Sequence, residues 1–188
     1  MTTVMKNLLL FLILTSQAAG QNPYMKSASN GKIKQSVMFD GQMFVLKFVD
    51  HNKLVDLNEY YLREEEPNTW TRMVSVAVYK TPGSPGAMAK NMEQSLLREH
   101  PDAPHELMTS PDGSQALFMC VNWAGDRKTG SEFDVYRLQK NPQGVLTYQV
   151  SLRPYQAKIS TEEYKALKDR WAQQIQTGKF PDVAMQLP

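Results

Sequence analysis

Two of the three histidines fall in one short segment, His100-Pro101-Asp102-Ala103-Pro104-His105-Glu106, beside two carboxylates. Imidazoles and carboxylates are competent ligands for zinc and similar ions. A helical metal site wants its histidines four apart on one face, and Pro101 and Pro104 preclude a helix here. The segment therefore reads as an exposed loop, and His100, Asp102 and His105 form a site only if the fold makes them converge. His51, beside Asp50 at the end of an extended run, reads as an ordinary loop residue.

Cys120 is the only cysteine, so no internal disulfide exists. Its surroundings, Ala116-Leu117-Phe118-Met119-Cys120-Val121, are apolar on both alternating faces, which predicts a buried small hydrophobe. An activated thiol would need a base and an electropositive, accessible setting that the neighbouring residues do not supply. No Gly-x-Ser-x-Gly elbow occurs. In Gly83-Ser84-Pro85-Gly86 the proline removes an amide that a phosphate cradle would use, so that stretch starts a helix. Glu64-Glu65-Glu66 lacks the alternating ligands of a calcium loop and reads as a solvated turn. No catalytic residue, metal or cofactor is assigned. The composition best suited to recognition is Asn122-Trp123-Ala124-Gly125-Asp126-Arg127-Lys128, an indole beside charges at a strand end, and Trp123, Asp126 and Arg127 are the candidate binding residues for a sugar or peptide.

Periodicity supplies the elements that must carry these groups. Phe44, Leu46 and Phe48 alternate onto one side of a strand over 44–49, and a second extended piece runs through 59–62. Over 70–80, Arg72, Val74, Val76 and Val78 oppose Met73, Ala77 and Tyr79. Ser84 caps a helix reaching about Glu99, with Met88, Met92 and Leu96 on its apolar stripe and Ala89 beside them. Further extended runs occupy 116–123, 133–138 and 145–153, with a short one near 106–108. Their short turns predict an antiparallel meander. In the last, Leu146, Tyr148, Val150 and Leu152 line the core side, while Thr147, Gln149, Ser151 and Arg153 line a side open to water. A final helix starts at Ser160, with Glu163 at the spacing of a capping box. Its stripe of Tyr164, Leu167, Trp171 and Ile175 lies on the sheet, and Gly178 ends it.

The N-terminus reads as an export signal: Lys6, an apolar run over 8–14 too short to span a bilayer, and Ala18-Ala19-Gly20 before a cut near Gln21. The organisation expected is a signal peptide over 1–20, a flexible lead-in over 21–40 and one globular domain over 41–188. The formal charge of +2 falls to +1 when Lys6 is removed, a balance that argues against nucleic-acid capture. Once the signal is cleaved, no stable membrane insertion is expected.

Strands, helix, antiparallel strands and helix in that order predict an α+β fold: a mainly antiparallel central sheet with helices packed on it, αβα-sandwich-like. This order resembles the fold shared by the extrinsic PsbP proteins of photosystem II and the small Ran-binding Mog-type proteins, over residues 41–178. Separately, Asn58-Glu59-Tyr60-Tyr61-Leu62 followed by Trp70-Thr71-Arg72-Met73 is similar to segments of uncharacterised exported bacterial proteins. Neither resemblance transfers a catalytic residue. The expectation is a periplasmic or secreted, non-catalytic accessory or binding protein whose partner is a protein or small ligand. The alternative is a small metal-assisted or cysteine-dependent hydrolase using His100, Asp102, His105 or Cys120.

Overall fold

The computed structural model describes residues 36–123, 131–153 and 160–177. The segment read as a signal peptide, most of the stretch read as a lead-in, Asp126, Arg127 and Gly178 lie outside them. The described chain forms β1 (Ser36–Phe39), β2 (Gln42–His51), β3 (Val55–Leu62), β4 (Arg72–Tyr79), α1 (Pro85–Glu99), β5 (His105–Thr109), β6 (Gln115–Trp123), β7 (Ser131–Asn141), β8 (Gly144–Leu152) and α2 (Thr161–Gln176). All the strands join one antiparallel sheet in the order β1-β2-β3-β4-β8-β7-β6-β5.

That order contains two four-stranded meanders, each followed by a helix, joined through their last strands. Val74 of β4 faces Val150 of β8 at the centre of the seam. On either side of this pair the rows correspond: Glu59 lies opposite Ser75 in the first meander, and Asp134 lies opposite Ser151 in the second.

Local chemistry accounts for the turns. Asp40 (φ 50°) and Gly41 (φ 73°) both take positive φ between the paired Phe39 and Gln42, the conformation that a two-residue I′ hairpin requires. β1 therefore begins at Ser36, inside the stretch read as lead-in. Gly144 follows the tight β7–β8 turn at φ 146°, where an added Cβ would fall 2.0 Å from the Tyr79 carbonyl oxygen. Only a hydrogen fits there. A register shift between Leu46 and Phe48 marks a bulge at Lys47. The Lys47 ammonium donates to the carbonyls of Arg63 (2.9 Å) and Glu65 (2.6 Å) and to Glu66 Oε1 (2.9 Å). Glu65 in turn accepts from the Thr71 hydroxyl and the Arg72 amide. The acidic run is thus a closed turn.

Both helices start on a serine. Ser84 Oγ accepts from the Ala87 amide with Pro85 at the first helical position, and Ser160 Oγ accepts from the Glu163 amide. Glu163 does not complete a capping box. Its carboxylate takes Arg72 Nη2 of β4 at 2.7 Å instead. The helices bury opposite faces of the sheet. Met88, Ala89, Met92 and Leu96 of α1 pack on Phe118, Cys120, Tyr136, Leu138 and Val145. Leu167, Trp171 and Ile175 of α2 pack on Phe39, Phe44, Val74, Val135, Val150 and Leu152. Asp40 anchors α2 by accepting from Trp171 Nε1 (2.9 Å), Gln174 Nε2 (2.9 Å) and the Arg170 guanidinium. Burial alone would raise the Asp40 carboxyl, and these three donors outweigh it, holding it below the usual carboxylate range.

The expected α+β sandwich is corrected by this arrangement. Strands take 50% of the described residues and helices 24%, so the molecule is mainly β, one wide sheet with two helices rather than a sheet between helical layers. Among the described residues a single helix lies on each face, and α1 packs mainly against β5, β6 and β7, reaching β8 at Val145. The rest of its face is closed by small apolar clusters and by the polar side chains described next.

Candidate functional site

On the α1 face, the side chains of β3, β4, β8 and β7 beyond the helix are largely buried, and a polar set runs among the apolar residues Val55, Leu57, Met73 and Ala77. The row Glu59, Ser75, Gln149, Tyr136 runs across the four strands, and beside it runs Tyr61, Met73, Ser151, Asp134. Thr147, Gln149 and Ser151 are 5%, 8% and 0% exposed, so the side of β8 expected to meet water lies in the interior. Buried polar groups persist only when bonded, and here they bond one another. Ser151 Oγ donates to Asp134 Oδ1 at 2.5 Å, while Gln149 Nε2 donates to the same oxygen at 3.1 Å and to Ser151 Oγ at 2.8 Å. The Tyr61 hydroxyl donates to Glu59.

Burial acts on two of the acids in the same direction. Glu59 is 3% exposed, and burial, helped by Glu132 and Asp50, pushes its carboxyl up to about 7 against the pull of Tyr61 and Arg153. Asp134 is pushed well above the usual range, first by burial and then by Glu132, which bonds it side chain to side chain. Glu132 pairs with Arg153, whose Nε stands 2.9 Å away. Arg153 in turn lies 4.0 Å above the ring of buried Trp70, which leans on Tyr61. The indole N–H of Trp70 and the hydroxyl of Thr147 are buried without a protein partner. The cluster sets two buried carboxyls, whose charged forms burial disfavours, beside an anchored ion pair.

Of the residues singled out by sequence, the fold aligns two and separates the others. His105 of β5 lies opposite Cys120 of β6, and Cys120 lies opposite Asp134. The His105 ring is engaged elsewhere, with Nδ1 2.9 Å from the Ala103 carbonyl and Nε2 3.5 Å from Glu93. Burial, with Asp134 and Glu132 adding to it, pushes the Cys120 thiol well up, which keeps it protonated and unreactive. His100 ends α1 and packs its ring on Trp123, centroids 4.2 Å apart. His51 lies on β2 against Asp56 (3.0 Å), which also takes Lys80 (2.8 Å). Asp102 lies in the loop between α1 and β5. Among the described residues, no three His, Cys, Asp or Glu side chains gather as a metal set. Trp123 is half-buried at the end of β6 against the α1 cluster.

Sequence reading missed Glu59, Glu132, Asp134 and Arg153 as a group. One signal was available. Glu59-Tyr60-Tyr61 and Asp134-Val135-Tyr136 repeat an acid, an apolar residue and a tyrosine within extended runs, with a serine facing each acid on the next strand.

A family model describing uncharacterised proteins matches residues 32–180, most of the chain. No curated protein matches it. Among the described residues, no helix is long and apolar enough to cross a membrane.

Proposed function

We propose, for a chain that belongs to this uncharacterised family, that it is an exported, non-catalytic accessory protein of the cell envelope or extracellular space. It binds a protein or small ligand at the rim where Trp123 ends β6 and where Asp126 and Arg127 follow in sequence. The observation that carries this reading over a hydrolase is the state of the nucleophile. Cys120 is 5% exposed beneath α1, beside two acids that oppose its ionisation, and the histidine opposite it is turned to Ala103 and Glu93.

Three measurements test the proposal. Fractionation of expressing cells with sequencing of the mature N-terminus gives a species beginning near Gln21 in the exported fraction, and a membrane-bound chain retaining Met1 refutes export. Trp123→Ala is expected to lose ligand captured from envelope extract by the wild-type protein while keeping its melting temperature. Ester or peptide hydrolysis abolished by Cys120→Ala would establish the hydrolase instead.

A further inference from the structure

We propose that Glu59 and Asp134, the equivalent acids of the two meanders, form a proton-operated lock: while both hold their protons the polar stretch of the α1 face stays closed, and ionisation loosens it. The inference does not depend on the proposed function.

The geometry sets up a shortage of positive charge. Three carboxyls, those of Glu59, Glu132 and Asp134, share the cluster, and among the described residues the cation bonded to it is Arg153, already paired with Glu132. Among the described residues, the remaining titratable neighbours are an aspartate, tyrosines, a thiol and, one strand further out, His105. β2 contributes Asp50 and β3 contributes Tyr61. From β4 comes Tyr79, itself pushed up to about 12 by burial and Glu59. The β5–β6 side presents Cys120, with His105 opposite it, and β7 presents Tyr136 beside Asp134. Tyr164 of α2 senses both Asp134 and Glu132. If all three acids ionise, two negative charges stand in the interior without a counter-ion, which costs far more than surface repulsion. Neutral hydrogen-bond donors such as Ser151, Gln149 and Tyr61 soften this and do not cancel it.

The two protons also occupy mechanically equivalent places. Each acid sits on the third strand of its meander, opposite a serine of the fourth, flanking the Val74–Val150 seam. Charging them sets like charges on both sides of the junction between the halves. The sign follows from linkage. Glu59 titrates near 4.5 when freely solvated and near 7 when folded, so its stabilisation is complete below about 4.5 and is lost as pH rises through about 7. Asp134, shifted in the same direction, extends the loss upward. The lock therefore tightens in mildly acidic surroundings and slackens in alkaline ones.

Urea unfolding of the full chain at pH 5 and pH 8 tests this. For the wild type, the ratio of folded to unfolded protein should fall on the order of 100-fold between the two, at about tenfold per pH unit for one retained proton. Glu59→Gln keeps a neutral group that still accepts from Tyr61, so its ratio should fall at least tenfold less and exceed that of the wild type at pH 8. An equal fall in both proteins overturns the lock. Should the variant not fold, carbon-13 carboxyl titration of the wild type decides. A glutamate midpoint near 7 is expected, and midpoints all below about 5 refute the proposal.

Discussion

The two faces of one sheet solve the same problem differently. On the α2 face, β-branched and aromatic side chains from both meanders converge under a single helix, and the acids involved sit at the edge, Asp40 holding three donors and Glu163 pairing with Arg72. On the α1 face, a helix of similar length covers mainly β5 to β7, and the remaining strands bury a polar network beside small apolar clusters. Apolar burial is non-directional and tolerates adjustment, whereas a buried polar network is favourable only when every member is satisfied. The α2 face should therefore carry most of the stability, and the α1 face most of the sensitivity to conditions.

Truncation of the α2 anchor gives the largest expected effect. Trp171 is 0% exposed and touches Phe39 edge-on at 5.5 Å, so Trp171→Ala should cost about 3 to 5 kcal/mol in urea unfolding. A variant with unchanged melting temperature would make α2 a surface helix and dissolve the contrast between the faces. Asp40→Ala comes next, because it leaves the Trp171 indole N–H buried and unpaired, a loss of about 2 kcal/mol. Because the folded Asp40 carboxyl is held low, its stabilisation is present above the unfolded value near 3.8 and is lost as pH falls through the folded one, the reverse of Glu59. Asp40→Ala should accordingly cost less at pH 2 than at pH 7, and an equal cost would show that the anchor is not ionic.

On the polar face, Ser151→Ala removes a donor to Asp134 and an acceptor for Gln149 and should cost about 1 to 2 kcal/mol. A neutral result would mean that the network contributes shape rather than stability. Cys120→Ala is expected to be the mildest, about 1 kcal/mol, with function intact. Rapid alkylation of the native thiol would contradict its burial under α1.

Much of the backbone was legible, since hydrophobic period depends on nearest neighbours along the chain. The Val74, Val76, Val78 alternation, the Met88, Met92, Leu96 stripe and the serine caps each appear where periodicity and side-chain chemistry predict. β1 escaped because four residues are too few to establish a period, and its pairing is decided by the Asp40-Gly41 turn. The β4–β8 seam joins strands distant in sequence, so no local pattern announces it. The sheet's breadth, and with it the mainly β class, follows from that seam. The polar side of β8 was misjudged for a related reason. Thr147, Gln149 and Ser151 look solvated until β3 and β7 bring Glu59 and Asp134 beside them. Trp123 was visible by composition alone, but its stacking on His100 depends on where α1 ends.

The mirrored strand order also bears on how the chain folds. Every other strand pairing joins neighbours in sequence, so each meander can zip through local contacts, whereas β4 and β8 meet only after α1 and the entire second meander have been spanned. Loop-closure entropy for that encounter is spent before the seam returns anything. The meeting of the two halves is then the slow event, and a stopped-flow comparison locates it: Val150→Ala should chiefly slow refolding, while truncation of Leu107 on the outer strand β5 should chiefly hasten unfolding.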